Sequence, residues 1–160
     1  MIRCEPFCYL VWAVLILLLP IDWLLSAATA ALVHELCHIL AVRIFGGRIR
    51  RIRICVTGCV IECDELQPVH GTISILAGPM GSLSLLALRR YLPQIAVCGL
   101  IQGLFNLLPV LPLDGGRLLR QILYRCLPAK ADAILRGIRY AVLLLFFCLL
   151  LWGMWLSGWV

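Results

Sequence analysis

Long apolar runs broken by short polar clusters set the plan of the chain. The first covers residues 7–19 and stops at Pro20 and Asp22; the others cover residues 23–45, 69–88, 91–111 and 138–160. About 20 mostly apolar residues cross a bilayer as a helix, somewhat fewer where the bilayer thins. The pattern predicts an all-α polytopic membrane protein with about five transmembrane helices. Between the second and third runs the pattern changes. Ile49, Ile52, Ile54, Val56, Val60 and Ile61 interleave with charge and break at Gly58, so a small cytoplasmic β-hairpin is expected there. Residues 118–127 read as a helical continuation of the fourth run, ended by Pro128. With no linker, repeat or low-complexity tract, residues 1–160 are expected to form a single core domain without an appended regulatory domain.

Composition supports the membrane reading. The chain is 63% hydrophobic and 14% charged, where soluble domains carry about 25% charge. A water-soluble globule and a disordered chain are excluded. The net charge of +6 is read as topology rather than nucleic-acid binding, and no nucleic-acid partner is expected. Arg3, the cluster Arg43, Arg48, Arg50, Arg51 and Arg53, and the cluster from Arg117 to Arg139 fall on one side; Arg89 and Arg90 fall on the other. Positive-inside logic puts the N-terminus and both basic loops in the cytoplasm and the C-terminus outside. The expected location is a cell membrane, multi-pass, in a bacterium, with the lipid bilayer as a partner. The nine cysteines do not suggest a disulfide framework. Cys37, Cys98 and Cys148 lie in apolar runs as small hydrophobes. Cys55, Cys59 and Cys63 fall in the loop assigned to the reducing cytoplasm, either as free thiols or, since their spacing shares one face of an ideal strand, as a second metal site.

The second run carries His34-Glu35-Leu36-Cys37-His38, an H-E-x-x-H. Imidazoles at i and i+4 stand on one helical face and can reach one metal ion, with the glutamate one step round the helix to act as base. A charged side chain at the bilayer centre costs ~2.5–3.5 kcal/mol on insertion scales, so an ionisable cluster inside an apolar run points to function. The nitrogen and carboxylate donors suit a single zinc ion, Zn2+, which in catalytic sites keeps three protein ligands. Asp114 is the candidate third ligand, because the cytoplasmic end of the fourth run and His38 are expected at similar depth. Pro109 and Pro112 each remove a backbone donor, so the helix must loosen before Asp114. Irregular backbone at that depth is tolerated where protein buries it or water lines it. Asn106 serves either to bind a substrate peptide or oxyanion, or as polar glue between helices. His70 reads as an interfacial histidine or as a residue near the metal. Gly99-x-x-x-Gly103 reads as close helix packing.

H-E-x-x-H, then Ala77-Gly78-Pro79, then Asn106-x-x-Pro109 followed by Leu113-Asp114-Gly115 resemble the site-2 protease family of intramembrane zinc metalloproteases, peptidase family M50. The run from Asn106 to Arg117 resembles most the branch that includes the stage IV sporulation protease. The resemblance implies a helical membrane core that cuts a peptide bond in or next to a transmembrane segment of a membrane-tethered substrate. It also implies His34, His38 and Asp114 as zinc ligands and Glu35 as the base. An extended substrate would pair with a strand edge, which residues 48–62 would supply; the same loop suits anionic lipid headgroups. The competing classes are a metal transporter, which should carry ligands along a path through the membrane, and a non-catalytic scaffold, which should lack Glu35. Substrate identity, trigger and oligomeric state leave no mark in the sequence.

Overall fold

The computed structural model describes residues 2–4, 19–55, 58–63 and 67–157; the first predicted span, residues 7–19, lies outside them except for its last residue. The chain divides into two compact units, Met1–Leu107 and Leu108–Val160.

The first unit is built on three helices. Helix α1, Ile21–Ile44, carries Asp22 in its first turn and Arg43 in its last, charges that complement the helix dipole. Its end is a Schellman turn. Gly46 takes φ +76°, the Gly46 N–H bonds the Arg43 carbonyl at 3.0 Å and the Gly47 N–H bonds the Val42 carbonyl at 2.8 Å. Glycine meets the left-handed backbone without strain. Helix α2, Pro68–Ser84, opens on Pro68 at a position where no helical N–H is needed, and a 3-10 turn, Leu85–Leu88, extends it. Helix α3, Pro93–Asn106, has 14 residues, about 21 Å at the helical rise.

These helices are inside out. The buried positions of α1 are Ser26, Ala30, His34, His38, Ala41 and Val42, while Leu25, Leu32, Leu36, Leu40 and Ile44 are exposed. Helix α2 buries Ser74, Gly78, Pro79 and Ser82 and exposes Ile73 and Met80. Helix α3 buries Ala96, Gly99 and Gly103 and exposes Ile101, Leu104 and Phe105. Lipid is as apolar as leucine, so membrane helices associate through small and polar residues and turn their large side chains outward. Three helical stretches among the described residues are long and apolar enough to cross a membrane: Ile21–Ile44, Pro68–Leu88 and Pro128–Leu156.

The same unit contains a three-stranded sheet in the order β1-β2-β3. Strand β2, Ile49–Cys55, pairs antiparallel with β3, Gly58–Cys63, with Ile52 opposite Ile61 and an irregularity between Ile49 and Arg51. Strand β1, Ile2–Cys4, pairs parallel with β2, Ile2 opposite Ile52 and Cys4 opposite Ile54. Only two strands were expected, because three residues are too few to show a periodicity. Cys55 closes β2, whereas Cys59 and Cys63 lie in β3.

The fourth apolar run departs from a continuous span over residues 91–111. Helix α3 ends at Asn106, turns occupy residues 107–112, and the next helix begins at Asp114. Pro109 and Pro112 account for the break, since neither can donate to a helical ladder.

The second unit holds helix α4, Asp114–Cys126, a 3-10 turn at Pro128–Lys130, and helix α5, Ala131–Leu156. The helix expected over residues 118–127 thus starts four residues earlier. Gly116 permits this: a Cβ there would lie 2.3 Å from the Val110 carbonyl carbon and 2.5 Å from the Leu111 nitrogen, so the turn packs directly on the helix backbone. The Tyr124 hydroxyl donates to Asp132 Oδ1 at 2.7 Å, tying α4 to the start of α5. Along α5, Leu143, Leu144, Leu145, Phe146 and Phe147 are all exposed. A helix apolar on every side and uncovered by protein is suited to lipid.

Candidate metal centre

His34 and His38 sit one turn apart on the buried face of α1, 3% and 8% exposed. Their Nε2 atoms are 3.2 Å apart and the rings meet edge to face with centroids 4.8 Å apart. Two ligands on a tetrahedral zinc at ~2.0–2.1 Å stand about 3.3 Å from each other. The imidazole pair therefore already has the spacing that one such ion imposes.

The outer nitrogen of each ring is held by α2. His38 Nδ1 lies 2.7 Å from the Ser74 carbonyl oxygen. A carbonyl only accepts, so in the neutral ring Nδ1 carries the proton and Nε2 presents its lone pair inward. His34 Nδ1 lies 2.8 Å from Ser82 Oγ. Ser74 and Ser82 are two of the buried residues of α2, four residues either side of Gly78. Gly78 is required by close approach: a Cβ at this position would fall 2.1 Å from His38 Nε2 and 2.5 Å from its Cε1. The Nε2 edge of His38 occupies the space that the side chain of any other residue would fill. Helix α3 backs the same turn, because a Cβ on Gly99 would lie 2.6 Å from the Ser82 carbonyl oxygen and one on Gly103 3.2 Å from that of Pro79. Neither Ser82 nor the Ser74 carbonyl was singled out from sequence. The signal available was the Ser74-x-x-x-Gly78-x-x-x-Ser82 spacing, a small-residue stripe at helical period.

The other expected site residues are placed as follows. Glu35 is half-buried on α1, and its Oε2 is shielded from solvent. Asp114 is 6% exposed in the first turn of α4, where the helix dipole favours a carboxylate; Arg117 Nη1 stands 3.8 Å from its Oδ1. Among the described residues, His34, His38 and Asp114 make a set of three buried ligand-type side chains able to hold a metal ion, two through ring nitrogen and one through carboxylate oxygen. Asn106, half-buried at the end of α3, donates through Nδ2 to the Gln102 carbonyl at 3.1 Å. His70 is not in the metal-binding set: it stacks on Phe45, ring centroids 4.4 Å apart and planes 8° from parallel.

Comparison with known proteins identifies the family. The family model described as peptidase family M50 matches residues 55–146, more than half the chain. His34, Glu35 and His38 lie outside the matched stretch, so the motif and the family match are separate observations. The chain is 32% identical to a zinc metalloprotease of Methanocaldococcus jannaschii, with 87% of this chain and 44% of that protein covered. It is 30% identical to stage IV sporulation protein FB of Bacillus subtilis, with 99% of this chain and 61% of that protein covered. It therefore spans about half the length of these curated relatives. The solved structure of the site-2 protease from Methanocaldococcus jannaschii superposes with a TM-score of 0.70 at 25% identity, covering 92% of this chain and 77% of the other. The chain belongs to peptidase family M50, the site-2 proteases.

Proposed function

We propose that this chain is an intramembrane zinc metalloprotease that hydrolyses a peptide bond in or next to a transmembrane segment of a membrane-tethered protein. The observation that carries the reading is the imidazole pair, with Nε2 atoms 3.2 Å apart and both Nδ1 atoms engaged by α2. His34 and His38 would hold one zinc ion through Nε2, and Asp114 would complete the protein ligands. When bound, zinc supplies Lewis-acid polarisation of a peptide carbonyl and makes water a stronger acid.

The chain's own residues do the rest. Glu35 accepts a proton from the attacking water at its carboxylate and returns it to the leaving amine nitrogen. Asn106 holds the substrate backbone. The turns over residues 107–112 give a non-helical stretch just before Asp114, in keeping with water-filled surroundings. Support for the membrane setting comes from the inside-out helices and from the basic residues that cluster in sequence after the second and fourth apolar runs. That distribution fits a cell-membrane protein with a cytoplasmic N-terminus and an extracytoplasmic C-terminus. The cleavage is of the kind used in regulated intramembrane proteolysis.

The test is co-expression with membrane-tethered candidate substrates, following the cut product by mass spectrometry. Glu35→Gln is expected to lower cleavage by about 10²–10⁴-fold, the range for loss of a general base, while the protein still binds zinc. Full cleavage by Glu35→Gln would overturn the assignment.

A further inference from the structure

The two imidazoles are held by different kinds of acceptor, and the difference has chemical content. His38 faces a backbone carbonyl, which admits one neutral tautomer only. His34 faces a hydroxyl, which can donate as well as accept. At 3.2 Å, two ring lone pairs would repel, so either a proton or a cation must lie between the Nε2 atoms. With a proton there, His34 carries it on Nε2 toward His38, and Ser82 donates its O–H to His34 Nδ1. With a cation there, His34 carries its proton on Nδ1 and Ser82 Oγ accepts it. A serine hydroxyl satisfies both arrangements by rotating, whereas a carbonyl or an ammonium would block one.

We propose that Ser82 is a positioning residue for the metal: its hydroxyl holds the His34 ring in place and lets it exchange tautomers as the ion binds. Ser82 is 0% exposed, so no water stands ready to replace the lost partner of a buried ring nitrogen. The proposal rests on the reading of His34 and His38 as zinc ligands and assigns a role to a residue that touches no substrate. Partners that orient metal-bound histidines are worth about 10–100-fold in metal affinity.

The experiment is zinc competition against a chelator on the purified full chain in detergent, with helix content followed by circular dichroism. Wild type is expected to bind one zinc ion, His34→Ala none, and Ser82→Ala one ion about 10–100-fold more weakly. Ser82→Thr keeps the hydroxyl and is expected to restore most of the affinity. Ser74→Ala leaves the carbonyl acceptor of His38 in place and is expected to cost less than Ser82→Ala. Should Ser82→Ala yield no folded protein, Ser82→Cys, close in shape with a weaker hydrogen-bonding group, carries the same comparison. Wild type without zinc overturns the metalloprotease reading and this proposal with it. Wild type with zinc, and Ser82→Ala or its cysteine substitute binding as tightly as wild type or no more weakly than Ser74→Ala, overturns the proposal alone.

Discussion

At the residue scale, the centre is defined as much by a missing atom as by the groups that are present. Gly78 leaves the space that the inner edge of His38 occupies, and its added Cβ would lie 2.1 Å from Nε2. The ring cannot flex away as the end of a long side chain would, because its far nitrogen is tied to Ser74 at 2.7 Å. Gly78→Ala is therefore expected to displace His38 and abolish tight zinc binding, with helix content retained; zinc content after gel filtration checks it. The contrast with Glu35→Gln is informative, since that change removes proton transfer but leaves the ligands. What was legible here follows the range of the contacts. His34, Glu35 and His38 lie within five consecutive residues, so helical geometry alone joins them. Ser82 meets His34 across 48 positions of sequence, and no local pattern shows that distance. Asn106 is legible for another reason, as a polar residue in an apolar run, and its Nδ2 donates to the Gln102 carbonyl of its own helix.

At the scale of elements, the apolar runs gave the helices, and prolines decided where they stop. Runs two, three and five correspond to α1, to α2 with its 3-10 extension, and to α5. Hydropathy alone makes the fourth run one span, whereas its two prolines mark where missing N–H groups interrupt it. Strand β1 escaped notice because it owes its conformation to pairing with β2 rather than to any pattern of its own. That pairing has a mechanical meaning: β2 has a strand on each side, so an incoming extended peptide could join only the outer edge of β1 or β3. In the second unit, Tyr124 ties α4 to α5 by donating to Asp132. The bond to Asp132 raises the phenol above its ordinary value, with smaller contributions from desolvation and the Asp132 charge, partly offset by Arg120. A raised folded-state value means the bond's contribution is complete below the ordinary tyrosine value of about 10 and is lost as pH climbs through the folded one. Alkaline spectrophotometric titration is expected to show a late-ionising tyrosine that disappears in Tyr124→Phe, with thermal stability near neutral pH little changed because the site is exposed.

For the molecule as a whole, the metal should show itself in stability. A ligand present at one hundred times its dissociation constant adds about 2.7 kcal/mol to the folded state. Adding zinc to the stripped, detergent-solubilised chain is expected to raise its thermal midpoint, and a chelator to lower it again. The response should vanish in His34→Ala and persist in Glu35→Gln, which separates a bound ion from a nonspecific effect of zinc on the detergent or on surface thiols. The inside-out helices carry one further consequence. Because Leu25, Leu32, Leu36 and Leu40 are each more than half exposed, a protein engineer could repaint that outer coat with glutamate and lysine and leave the inner stripe from Ser26 to Val42 untouched. Repeated on the outward faces of α2, α3 and α5, the same change would carry the histidine pair into plain buffer.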